Sequence, residues 1–351
     1  MVTLTVTLVL LTISTASEGQ AASRTFTPVS LVRVSASVVY VGGTVPCSTG
    51  DCASLLRSDD DGVTFHKIGL RLPPGVTAKS FVNAVSAAQF QTPSDGYIVI
   101  SDKLYASTDA GRTWHDVNFG ASTLVSSIAT TPSFTYASVS TCGFVCSRSY
   151  LERSQTGSFH WSVVSVEHSA PLGYTTEVAG AVESRVWLLS GGAKGEVNLS
   201  LSNDAGRSFR VVWSEPMLYC RVYLTSARTV WLFCSGGMIG DLWRSTDGEH
   251  FVYLPYTVYH SDPFDPVSGA VAFYSLPDAP EVYRTMDGGQ NFQDRGAVPV
   301  KQGEPADISF SNAEDGLALV QPTTGETAGA STLWRTTSGG TSWMKVELTR
   351  V

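Results

Sequence analysis

The chain has 351 residues; only 15% are charged, 43% are hydrophobic, and the formal net charge is −8. It contains no Lys/Arg run, so nucleic-acid binding is not expected, and the mild acidity reads as a solubility feature rather than a partner signal. Length alone would fit two or three average domains, but an internal repeat argues for one.

The first element in the chain is Met1–Ile13, an apolar, Thr-punctuated stretch too short to span a bilayer. Small residues follow at Ser14–Ala16 and at Ala21–Ala22, as in a signal peptide's apolar region and cleavage site, though no basic leader precedes them. Residues 1–22 are therefore expected to be a signal peptide and 23–351 one folded domain. The protein is expected to be secreted or held in the periplasm or cell envelope, with no transmembrane span in its mature part. Thr25–Val29 is expected to pair where the fold closes.

An eight-residue phrase, Ser/Thr-x-Asp-x-Gly-x-Thr/Ser/Asn-aromatic, then recurs seven times, starting at 58, 107, 154, 202, 245, 285 and 336. Unit one has the strand-like Tyr40–Gly43 and a full phrase with Asp60, Gly62 and Phe65. Unit two runs through Ala84–Phe90, a turn at Pro93–Gly96, Tyr97–Ile100, and a phrase with Asp109, Gly111 and Trp114. Unit three's phrase, Ser154–Trp161, is weaker, with Thr156 at the Asp place and Ser158 at the Gly place. Unit four has Trp187–Gly192 and a phrase with Asp204, Gly206 and Phe209. Unit five has Trp231–Gly237 and a phrase with Asp247 that is one residue short. Unit six carries Asp287, Gly289 and Phe292; unit seven has Ile308–Phe310, Leu317–Val320 and a phrase with Ser338 at the Asp place.

Apolar, strand-like runs flank each phrase, which reads as a β-hairpin turn. The Asp and the hydroxyl can hydrogen-bond turn N–H groups, the Gly permits positive φ, and the aromatic plugs the space between sheets. Upstream of each phrase lies a second hairpin, so each unit reads as strands A, B, C and D with the phrase at the C–D turn. The inner strands are poor in charge, and no helix is expected. Asp59–Asp61 followed by Gly62 mildly resembles a calcium loop, but no copy carries a downstream Glu at the EF-hand spacing, so a structural turn is the preferred reading.

The phrase resembles the Asp-box, or bacterial neuraminidase repeat, over all seven units. That resemblance implies an all-β fold, a single seven-bladed β-propeller with four antiparallel strands per blade. Proteins carrying the motif include sialidases, xyloglucan hydrolases, sortilin-type receptors and photosystem II assembly factors, so the motif implies a fold rather than a task. A sialidase would place an arginine in an aromatic-Arg-Ile-Pro phrase ahead of the first box; Val32–Ser35 lacks the aromatic and the Pro. Arg57, Arg153, Arg244, Arg284 and Arg335 each precede a phrase by one residue, a repeated place that reads as structural.

Six cysteines fall into three close pairs, Cys47/Cys52, Cys142/Cys146 and Cys220/Cys234, expected as disulfides in an exported chain. Cys220 and Cys234 should face each other across strands A and B of unit five; the other pairs should clip B–C loops. In a propeller a ligand site is expected on the face of the D–A and B–C loops. The longest D–A connection is expected at Pro255–Pro266, with Tyr256, Tyr259, His260, Asp262 and Asp265 as candidates. The starts of other A strands add Glu177, Tyr219, Arg221, Glu304 and Asp307. Any two of these carboxylates could form a glycosidase pair. The preferred expectation is a monomeric, non-catalytic scaffold for a protein or carbohydrate partner, with no cofactor or metal.

Overall fold

The computed structural model describes residues 25–48, 50–142, 146–158, 160–167, 176–192, 195–217, 219–235, 239–259, 263–276, 279–300, 303–322 and 330–348. Seven four-stranded antiparallel sheets follow one another along the chain, forming a seven-bladed β-propeller. Blade 1 comprises Thr27–Arg33, Val39–Cys47, Gly50–Ser58 and His66–Ile68; blade 2 comprises Gln89–Phe90, Gly96–Ile100, Lys103–Ser107 and His115–Val117. Blade 3 comprises Thr123–Thr130, Phe134–Cys142, Cys146–Gln155 and Trp161–Glu167; blade 4, Glu177–Val182, Arg185–Gly191, Val197–Ser202 and Arg210–Glu215. Blade 5 comprises Tyr219–Leu224, Val230–Ser235, Ile239–Ser245 and Val252–Tyr259; blade 6, Phe264–Pro266, Ala272–Ser275, Glu281–Thr285 and Phe292–Ala297; blade 7, Glu304–Phe310, Asp315–Gln321, Thr332–Thr337 and Met344–Lys345. In chain order these are strands A to D of each blade.

The repeated phrase forms every C–D turn, and its chemistry is visible bond by bond. In blade 2 the Ser107 hydroxyl donates to Asp109 Oδ1 (2.9 Å) and accepts the Gly111 N–H (2.9 Å). Asp109 then accepts the Thr113 N–H (2.8 Å) and hydroxyl (2.6 Å). Gly111 has φ +81°, and a Cβ there would lie 3.0 Å from Leu55 of blade 1, so the glycine serves both the turn and the blade contact. Asp60, Asp204 and Asp287 repeat the pattern. In the short copy His250 takes the Thr role, its N–H and ring meeting Asp247 at 2.8 and 2.7 Å. In blade 7 Ser338 replaces Asp and still accepts the Ser342 N–H (3.0 Å). Asp59, Asp60 and Asp61 bond three different partners, namely Arg57, the Ser58/Thr64 pair and Arg33; among the described residues no acidic cluster suited to a metal forms.

Arginines staple neighbouring blades. Arg57 donates to the Pro93 carbonyl (2.9 Å), Arg153 to Ala205 (2.9 Å), Arg244 to Gly269 (2.7 Å), Arg284 to Ala313 (2.8 Å) and Arg335 to Asp61 (3.1 Å). Each acceptor lies in a turn of the next blade, Arg335 reaching from blade 7 back to blade 1. Blades 1 and 7 are each continuous in sequence, so no strand is shared at the closure. Thr27–Arg33 pairs with Val39–Thr44 of its own blade rather than across the junction, correcting the expectation for Thr25–Val29. The junction is instead an apolar cluster including Leu31, Val41, Leu56, Leu317 and Leu333, with Asp61 held by Arg33 at 2.6 Å.

The absence of helix was also a wrong expectation. The connection from blade 1 to blade 2 contains α1 (Ala78–Ala84) and a 3-10 turn (Val85–Ala87), leaving only Gln89–Phe90 as strand A. Thr77 caps α1, accepting the Ser80 N–H at 3.1 Å. Phe81, Val82 and Val85 are buried against Tyr40, Ile98 and Trp114. Ala84–Phe90 was expected as one arm of a hairpin; tertiary burial between two blades overrides that local reading.

The pairs Cys47–Cys52 and Cys220–Cys234 are disulfides, and Cys220 opposes Cys234 in register as expected. Cys142 is disulfide-bonded, and its backbone pairs with that of Cys146, whose side chain lies outside the described residues. Among the described residues no helix is long and apolar enough to cross a membrane.

Candidate functional site

The A strands surround a central channel with two cavities of about 670 and 340 Å³ that share Tyr223, Leu224, Asp265 and Pro266. The larger also takes in Arg33, Asp307 and the A–B turn residues Ser35 and Ala36, so it reaches the phrase-bearing side, with Ser86 of the D–A connection also in its wall. Its placement follows from where the polar side chains fall on the A strands, below their loop-side starts.

Two sequence candidates meet there. Asp265 accepts the Phe310 N–H from strand A of blade 7 at 2.5 Å. The backbone N–H groups of Ile308 and of Leu31 in blade 1 lie against the Asp307 carboxyl and act to lower its pKa. A bulge between Pro305 and Asp307 aims the latter side chain, with Ala306 as the extra residue. Burial pushes Asp265 up to about 6, against the Phe310 N–H and the Arg33 charge. Burial pushes Asp307 up to about 8, and the neighbouring Asp265 adds to the rise.

Arg221 lies nearby, its Nε donating to the Tyr219 hydroxyl (2.8 Å) with its guanidinium 5.5 Å from that ring. Burial works against its charge, but Tyr219 and Tyr223 hold it charged above the usual arginine range. Tyr223 went unnoticed in the sequence. Its signal was the two-residue alternation Tyr219, Arg221, Tyr223, which puts three polar tips on one face of the strand.

The other candidates separate. Glu177 and Glu304 open the A strands of blades 4 and 7 and line neither cavity; burial raises the Glu177 carboxyl. Tyr256 and Tyr259 belong by backbone to strand D of blade 5, while His260 and Asp262 lie outside the described residues. The expected long loop at Pro255–Pro266 is therefore strand at both ends. Pro255 sits at a bulge, between the pairs Asp241↔Thr257 and Leu242↔Leu254, where a missing N–H is tolerated. The longest D–A connection is instead the α1 segment between Ile68 and Gln89.

Neither a protein family nor a curated protein matches the chain in sequence. Solved structures match in fold. YCF48 from Cyanidioschyzon merolae is similar with a TM-score of 0.52 at 12% identity, over 75% of this chain and 85% of that one. An oligogalacturonate lyase in complex with manganese reaches 0.60 at 11% identity, over 88% and 90%. A family PL25 ulvan lyase reaches 0.56 at 10% identity, over 93% and 97%. Identities this low establish the propeller fold alone.

Proposed function

We propose that the chain is an exported, non-catalytic binding propeller that takes a protein or glycan partner on the face of the D–A and B–C loops, around Tyr219 and Arg221. One observation carries this reading: the channel carboxylates are engaged by backbone. Asp265 joins blade 6 to blade 7 by accepting the Phe310 N–H, and Asp307 lies against the backbone N–H groups of Ile308 and of Leu31 in blade 1, which act to lower its pKa. A carboxylate used to tie strands together is poorly placed to act on a substrate. The arginines acting on this pair are Arg33 and Arg221, and Arg33 is committed to Asp61 and Ser309, which argues against a three-arginine sialidase site. The disulfides support export, with residues 1–22 as its signal.

A second reading, glycoside hydrolysis, is favoured by one feature: two carboxyl groups of unequal acidity beside one cavity, as an acid/base pair requires. The test assays the full chain on a fluorogenic sialoside and a panel of β-glucans, beside capture of partners from the native envelope fraction. Scaffold function predicts no turnover, and a drop of about tenfold in capture for the Tyr219→Ala/Arg221→Ala double variant. Turnover that disappears in Asp307→Asn would sink the scaffold reading.

A further inference from the structure

Away from the channel, a pocket of about 640 Å³ opens between blades 2 and 3, lined by His115, Asp116, Phe119, Glu152, His160 and Trp161 among others. It lies beside the degenerate third phrase. Trp114 and Trp343 occupy the aromatic place of their phrases and donate their indole N–H to the carbonyl of the phrase glycine, Gly111 (3.0 Å) and Gly340 (2.9 Å). In blade 3 the corresponding residue is Ser158, and its carbonyl accepts the Ser154 hydroxyl instead (2.6 Å). The Trp161 ring turns to edge contacts with Phe119 (5.2 Å) and Tyr97 (6.0 Å), and its indole N–H is buried without a partner.

A second anomaly lies on the same wall. Two residues before each phrase stand Leu56, Tyr105, Glu152, Ser200, Trp243, Tyr283 and Trp334, so Glu152 is the one charged residue at this repeated place. It is 9% exposed, and among the described residues nothing hydrogen-bonds or pairs with its carboxyl. The Trp161 N–H is thus a buried donor without a partner, while the Glu152 carboxyl still reaches the pocket's open space.

We propose that this inter-blade pocket binds a sugar ring, with hydroxyls accepting from the Trp161 indole N–H and donating to Glu152 while apolar C–H faces rest on Trp161 and Phe119. A hydroxyl is the group that can both accept and donate; a cation could satisfy Glu152 but would leave the indole N–H unmet. Burial pushes the Glu152 carboxyl up, which favours a neutral hydrogen-bonding ligand further. His115, His160 and Asp116 give the mouth its polar rim. The site is independent of the channel, and loss of channel binding would leave it intact.

The test is NMR of the indole N–H signals of the 8 tryptophans in the full chain, the Trp161 signal being the one absent in Trp161→Phe. Glucose, galactose, N-acetylglucosamine, glucuronate and, separately, methylammonium are titrated in. The expected result is that at least one sugar moves the Trp161 signal saturably, and that the isosteric Glu152→Gln weakens this binding by about tenfold or more. No movement with any of the sugars, or equal movement of the other seven signals in Trp161→Phe, overturns the site. Movement with methylammonium but with no sugar overturns the sugar assignment.

Discussion

The aspartates of this chain fall into two opposed electrostatic groups. In the turns, the side chain and backbone of Asn291 hold Asp287 down at about 2, and Ser208 likewise depresses Asp204. In the channel, burial lifts Asp265 to about 6 and Asp307 to about 8. The signs differ accordingly. Stabilisation from a depressed turn aspartate is present above the ordinary value of about 4 and lost as pH falls towards 2. Stabilisation linked to the raised channel pair is present below about 4 and lost as pH rises through 6 and then 8. Thermal stability should therefore peak near pH 4 and fall on either side of it. Asp307→Asn should flatten the decline between pH 6 and 8, raising Tm at pH 8 by on the order of 5 °C; an unchanged alkaline limb in a thermal melt series would contradict this.

At the scale of elements, the repeated turn and α1 contrast. The turn closes on itself: a hydroxyl, a carboxylate and a glycine satisfy one another within eight residues, so its form survives the lost residue at His250 and the Ser338 replacement. The short α1 has little stability of its own. It persists because Phe81 is fully buried, edge-on to Trp114 at 6.1 Å, and because the Ser30 hydroxyl donates to the Val82 carbonyl. Phe81→Ala should cost about 3–5 kcal/mol in urea unfolding. Its amide exchange should speed up first in residues 77–90, whereas a uniform loss across all blades would show that α1 is not a separable unit.

At the scale of the molecule, closure is made without a shared strand. The junction of blades 1 and 7 relies on leucines from both sides and on Asp61, which bonds Arg33 (2.6 Å) and Ser311 (3.0 Å) with Arg335 on its carbonyl. A Cβ on Gly62 would meet Leu317 at 2.8 Å, so this turn is also fitted against blade 7. Asp61→Ala should destabilise by about 2–3 kcal/mol, through Arg33 and Ser311 left without their shared carboxylate. Hydrogen exchange should rise in the strands of blades 1 and 7. Equal acceleration in blade 4 would show that the junction is no weaker than the other blade contacts.

Blade number, strand register and the C–D turns were legible in the chain because each is enforced locally: the phrase carries its own hydrogen-bond partners and recurs at a blade's length. The Cys220–Cys234 bridge was legible for the same reason, since one hairpin sets both positions. The helix at Ala78–Ala84, the bulged Pro255 and the meeting of Asp265, Asp307 and Tyr223 were decided by tertiary structure. Asp265 and Asp307 lie more than forty positions apart in the chain, on different blades. Only the closed ring brings their strands to one axis, and only the burial it creates shifts their protons.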